Sequence, residues 1–132
     1  MDKNNLKLIL DRVKTIAIVG ASSNPERDSY KVMKFLQDYG FEVFPVNPNL
    51  VNTNILGQEC YSSLDAIEKP IDMVDVFRSI EYVPDVTNEA IKIKAKILWT
   101  QEGLYSEEAE SLGKNADLIV IMDQCPKKIL EN

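Results

Sequence analysis

Short unbroken apolar runs alternate along this chain with stretches in which apolar residues recur at helical spacing. "NNLKLILDR" (Asn4–Arg12) predicts a leading helix with Leu6, Ile9 and Leu10 on one face. "TIAIV" (Thr15–Val19) is apolar at successive positions, the pattern of a parallel strand covered on both sides. "SYKVMKFLQDYG" predicts a helix with Ser29 as N-cap, Gly40 as stop, and Val32, Met33, Phe35 and Leu36 as its buried stripe. "FEVFPV" is the second strand, with Pro45 near its end, where a missing N–H is tolerated.

Asn, Gly and Ser punctuate the next segment, which predicts a loop, an extended piece around Ile55–Gln58 and a short helix over Leu64–Ile67. "IDMVDVF" is the third strand. "VPDVTNEAIKIKA" is a helix with Pro84 in its first turn and Val86, Ala90 and Ile93 inward. "KILWT" is the fourth strand, "SEEAESLGKNA" a helix with Ser106 as N-cap, and "DLIVIM" the fifth strand. Such alternation predicts an α/β fold: a single Rossmann-like, doubly wound, mainly parallel five-stranded sheet with helices on both faces.

With 132 residues the chain suits one domain spanning 1–132. No apolar run reaches the roughly 20 residues of a membrane span, and the polar start "MDKNNLKLILDRVK" does not read as a signal peptide. A cytoplasmic location, with Cys60 and Cys125 as reduced thiols, is the expectation. The chain has no histidine, and so lacks the commonest general base and zinc ligand. A net charge of −6 without a basic cluster argues against nucleic acid. It does not argue against a small phosphorylated ligand, which backbone amides can hold.

In such a sheet, ligands bind beyond the carboxyl ends of the strands. "GASSNPERDS", "NPN", "FRS", "TQEG" and "DQCP" fall there. Gly20 allows a close backbone approach, but Ser22 and Pro25 replace the second and third glycines of the dinucleotide fingerprint. Helix-start amides, the Ser22 and Ser23 hydroxyls and Arg27 still suit a phosphate. An NAD site carries an acid after the second strand; here stand Asn47 and Pro48. That weakens NAD and leaves open a nucleotide with a ribose phosphate, such as coenzyme A or NADP.

"IVGASSNPERDSYKVMKFL", "VFPVNPN", "GQECYSSL", "IDMVDVFRS", "AKILWTQEG" and "VIMDQCP" together resemble the small stand-alone CoA-binding domain family. These are Rossmann-like proteins related to the CoA-binding domain of succinyl-CoA synthetase alpha subunits. The likeness runs from about Leu8 to Pro126, and it implies a coenzyme A or acyl-CoA site at the strand ends. Carried over, Gly20, Ala21 and Ser22 match the phosphate-facing turn, and Arg27, Ser29 and Tyr30 the opening of the next helix. Asn47 and Pro48 match the nucleoside-holding wall. Val76, Phe77 and Arg78 match "VFR", Gln101 and Gly103 match "W.Q.G", and Cys125 belongs to the closing "MD.CP". Gln124 stands where the family often has Arg, and the "KKILEN" tail lacks an acid usual soon after the Cys-Pro.

Trp99 reads as structural, and Asp72 and Asp75 do not read as an acid–base pair. Cys125 lies on the side where CoA's thiol arm would run, so a mixed disulfide with CoA is chemically available; a small buried hydrophobe is the favoured reading. The expected function is non-catalytic binding of CoA or an acyl-CoA by a CoA-responsive or accessory protein, since no nucleophile–base constellation is present. The alternatives are an NAD(P) oxidoreductase, or a redox sensor acting through Cys125. A homodimer or an enzyme partner fits the exposed sheet edges.

Overall fold

The structure, a computed structural model, describes residues 1–131. Asn132, the last residue of the expected domain and of the "KKILEN" tail, lies outside the described residues.

Five strands form one parallel sheet: β1 (Thr15–Val19), β2 (Glu42–Val46), β5 (Met73–Val76), β6 (Ile97–Thr100) and β7 (Ile119–Ile121). Their order is β2-β1-β5-β6-β7, so the direction of winding reverses between β1 and β5. Each strand sends alternate side chains to opposite faces. Ile16, Ile18, Met73 and Trp99 pack with α1 (Lys3–Leu10), α2 (Asp28–Tyr39) and α5 (Pro126–Leu130). Ala17, Val19, Val74, Val76 and Leu98 pack with α3 (Val83–Lys92) and α4 (Glu107–Asn115). Both faces are covered, as the unbroken apolar strands require.

The helices end where local chemistry ends them. Asp2 caps α1 by accepting from the Asn5 amide at 2.9 Å, and Ser106 caps α4 by accepting from the Ala109 amide at 3.1 Å. Gly40, at φ 124°, closes α2. The other end of α2 differs from expectation. Its N-cap is Arg27, which makes no capping bond through its side chain, and Ser29 lies inside the first turn, buried. The cause is upstream. The Asn24 side chain accepts from the Glu26 amide at 3.0 Å and its carbonyl accepts from the Arg27 amide at 3.0 Å, turning the chain into the helix before Ser29 is reached.

Two elements were not expected. A small hairpin joins β3 (Asn54–Ile55) to β4 (Gln58–Glu59) through Leu56 and Gly57, both at positive φ, as a two-residue hairpin turn requires. Helix α5 follows Cys125 and packs against α1 and α2. Beyond the hairpin, Tyr61 pairs with the outer edge of β2: its amide donates to Pro45 O, and its carbonyl accepts from the Asn47 amide, both at 2.9 Å. This strap brings the Ser62–Ser63 segment to the carboxyl end of the sheet.

Candidate functional site

Two cavities open at the carboxyl ends of the strands, and they share Asp28, Phe77 and Arg78. The first, of about 1000 Å³, lies over the switch point between β1 and β5 and is walled by the loops after β1, β2 and β5 and by the first turn of α2. The second, of about 440 Å³, lies between α2, the end of β6 and the start of α5.

The turn after β1 does not serve as the glycine motif suggests. Gly20, at φ 92°, has no room for a Cβ because the Phe77 carbonyl occupies that space. Its amide and that of Ala21 donate to Val46 O at 3.0 and 3.2 Å. Ala21 itself is buried in the core. These two residues clamp the ends of β1, β2 and β5 together, and their amides are not available to a phosphate. Helix-start amides without a side-chain cap lie further on, at the start of α2. There Ser22, Ser23, Arg27, Asp28 and Ser29 line the cavity and the helix dipole points its positive end into it. Arg27 is exposed and, among the described residues, has no ion-pair partner. Asp28 places one carboxylate in the same turn, so Arg27 must outweigh it for an anion to settle.

Asn47 lines the same cavity, but both ends of its side chain are engaged. Nδ2 donates to Ala21 O at 2.8 Å, and Oδ1 accepts from the Asn49 amide at 2.9 Å. It braces the β1 and β2 loops against each other, with Pro48 opening a 3-10 turn beside it. Phe77 faces both cavities. The Arg78 guanidinium lies 4.2 Å from the centre of the Tyr82 ring, a stacked position that holds it at the junction of the two. Ser62, Ser63, Tyr82 and Glu89 also line the first cavity. Burial, with Asp65 nearby, raises the Glu89 pKa against the pull of Arg78.

The second cavity gathers Gln101 and Cys125 with Lys31, Lys127 and Lys128 at its rim. Lys128 of α5 pairs with Glu102 of the loop after β6 at 2.7 Å. Burial pushes the Cys125 thiol upward, and Cys60, almost fully buried, is raised by the same cause. Neither environment favours a thiolate.

Three residues expected at the site line neither cavity. Tyr30 leans back onto the core of its own helix, Val76 is fully buried under α3, and the Gly103 amide donates to Asp123 Oδ1 at 2.7 Å. Trp99 is fully buried and donates from Nε1 to Gln124 O at 2.9 Å, the structural role expected of it.

The two strand aspartates part company. Asp72 sits at the amino end of β5, mostly covered, and accepts from the Lys14 and Thr15 amides. Burial alone would raise its pKa, but those amides and Lys96 outweigh it and the net direction is down. Asp75 is completely buried, in register between Ile18 of β1 and Trp99 of β6. Its Oδ1 lies 2.6 Å from the Gln101 carboxamide, Oδ2 has no partner among the described residues, and burial pushes its pKa up to about 8. Sequence reading named Gln101 as a site residue and weighed Asp75 only as a partner of Asp72, not as the acid behind Gln101. The signal was there: an acid at a position whose neighbours along and across the strand are all apolar.

Among the described residues no group of three or more acids or cysteines is placed to hold a metal, and no helix is long and apolar enough to cross a membrane.

Comparison with known proteins bears on the family and the fold. The family described as "CoA binding domain" matches residues 14–131. The chain is 45% identical over 125 residues to YneT of Bacillus subtilis, spanning 95% of this chain and 91% of YneT. It is 29% identical over 120 residues to the ADP-forming acetate–CoA ligase of Methanocaldococcus jannaschii, spanning 85% of this chain but 17% of that enzyme. A solved structure of a hypothetical protein from Pyrococcus horikoshii superposes with a TM-score of 0.92 at 37% identity, covering 98% of this chain and 89% of that one.

Proposed function

The chain belongs to the CoA-binding domain family, and from that premise we propose that it binds coenzyme A or an acyl-CoA without catalysing a reaction on it. The observation that carries this reading is the uncapped first turn of α2, with Arg27 beside it, opening into the 1000 Å³ cleft. Unsatisfied helix-start amides and a free guanidinium form a site for a phosphate diester or pyrophosphate. Phe77 and the stacked Arg78 offer flat surfaces for a base, and the second cavity continues from the first with room for an arm. A cleft of this size lies at the upper end of the roughly 300–1,000 Å³ of ligand pockets. Coenzyme A has that combination: a phosphorylated adenosine joined through a pyrophosphate to a long pantetheine arm that carries two amides and ends in a thiol.

NAD ranks behind it. No acid follows β2, and Asn47, the residue in that place, is engaged as a brace. The non-catalytic reading is supported by the same inventory: no histidine, two thiols pushed toward the neutral form, and no base set beside a nucleophile among the described residues.

Isothermal titration under reducing conditions tests the reading. Coenzyme A is expected to bind with a Kd well below about 1 mM and more tightly than ADP, NAD or NADP. Equal, millimolar binding of all four would overturn it.

A further inference from the structure

The polar end of the second cavity is built around one hydrogen bond. Gln101 lines the cavity, and its carboxamide is held from behind by Asp75 at 2.6 Å. Asp75 is sealed between β1 and β6, and Gln101 is its hydrogen-bond partner among the described residues. A carboxylate with one partner in an apolar interior carries an uncompensated charge, which is costly; a neutral acid avoids that cost. A neutral acid must place its O–H, and the partner on hand is the carboxamide. The nitrogen and oxygen of a carboxamide exchange places by a half turn, and their assignment follows from the network around them. A 2.6 Å separation is ordinary for O–H···O and short for N–H···O. Asp75 therefore donates from Oδ1 to the Gln101 carbonyl oxygen. What remains unpartnered on Asp75 is then a carbonyl oxygen, a less costly orphan than a buried O–H. The Gln101 NH₂ is turned toward the cavity as a donor.

We propose that this second cavity receives the acyl-bearing end of a thioester arm, with Gln101 donating a hydrogen bond to the ligand's carbonyl oxygen and Asp75 acting as the positioning residue that fixes which end of the carboxamide faces the ligand. The proposal rests on the coenzyme A reading and narrows it: the preferred ligand is an acyl-CoA, not the free thiol. Val32, Phe77 and Leu104 supply an apolar wall for a short acyl chain. The cavity is contiguous with the first through Asp28, Phe77 and Arg78, so one ligand can occupy both.

Three titrations with reducing agent present test it: adenosine 3′,5′-bisphosphate, coenzyme A and acetyl-CoA, each against the full chain. Wild-type protein is expected to bind acetyl-CoA about three- to tenfold more tightly than coenzyme A, the range of one hydrogen bond. Gln101→Leu brings the two affinities together. Asp75→Asn, which offers its own N–H to the Gln101 oxygen, keeps the preference, and Asp75→Val loses it. A purely structural role for Asp75 would not alter the pH profile. In wild type the preference fades as pH rises through about 8, because an ionised Asp75 accepts from the NH₂ and turns the carboxamide oxygen to the cavity. In Asp75→Asn it does not fade over that range. Cys125 and Glu102 are the other ionisable groups nearest the pair, with Asp28, Lys31, Arg78, Lys127 and Lys128 around the cavity. The Asp75→Asn profile removes their contribution by comparison. An acetyl-CoA to coenzyme A ratio near one in wild type, or a ratio unmoved by Gln101→Leu, overturns the inference while the coenzyme A reading stands. Failure of all three ligands to bind overturns both.

Discussion

Gly20 and Phe77 are in backbone contact: any side chain on Gly20 would overlap the Phe77 carbonyl oxygen. The end of β1 and the end of β5 thus meet at the switch point with nothing between them, and the cleft begins on the far side of that contact.

Gly20→Ala meets two penalties together, a strained backbone at φ 92° and a collision with main-chain atoms that cannot rotate away. The expected loss is roughly 2–4 kcal/mol in urea denaturation. A change within about 0.5 kcal/mol would mean that β1 and β5 can separate freely there.

Asp75 gives the fold a pH signature. Its folded value of about 8 lies above the ordinary 3.8, so the folded protein holds a proton that the unfolded chain releases. The contribution of this group to stability is fully present below about pH 4 and is lost as pH rises toward 8, at about 1.4 kcal/mol per pH unit. Asp75→Asn removes that slope. Urea titrations at pH 5, 6 and 7 should show the variant gaining on wild type by roughly that amount per unit; a constant difference would mean an ionised Asp75.

Arg27 is exposed and unpaired among the described residues, so its removal bears on the ligand more than on the fold. Arg27→Ala is expected to weaken coenzyme A about tenfold or more, the range of a charged hydrogen bond to phosphate, and to flatten the salt dependence of binding. Calorimetry at two ionic strengths reads both effects. Unaltered affinity would remove the α2 start from the site.

Both thiols are raised by burial, which slows alkylation of the folded protein. At pH 7, iodoacetamide should label Cys60 and Cys125 more than tenfold more slowly in buffer than in denaturing urea, by mass spectrometry. Rapid labelling of native Cys125 would instead restore the redox reading of that residue.

Ser106→Ala removes the bond to the Ala109 amide and should cost about 1 kcal/mol. Thermal unfolding measures it; no shift would mean that water replaces the cap without loss.

The strands were legible because the chain spells them in apolar runs: Thr15–Val19 stands where "TIAIV" predicts it, and the alternation of runs and helical stripes yields the parallel sheet. Ser29 misled because a serine before an apolar stripe resembles a cap, while the Asn24 turn had already started the helix. The hairpin was hidden because Leu56 takes a positive φ without the Asn or Asp that announces such a turn. Helix α5 is one short turn-and-a-half whose apolar residues, Ile129 and Leu130, acquire meaning only against α1 and α2. At the site, residue types at the strand ends could be listed from sequence, but their availability could not. That the Ala21 amide and the Asn47 side chain are already occupied, and that Gln101 has a buried acid behind it, depends on bonds between segments far apart in the chain.

The Tyr61 strap has a consequence for how the protein behaves in crowded solution. By taking up the Pro45 carbonyl it covers the carboxyl-terminal half of the outer margin of β2, where Pro45 already lacks an N–H to offer a passing chain. The opposite margin is β7, with Ile119 44% exposed. Strand-by-strand accretion into fibrils, if forced by heat or concentration, would therefore nucleate along β7, and a lysine at position 119 is the single replacement best placed to delay it.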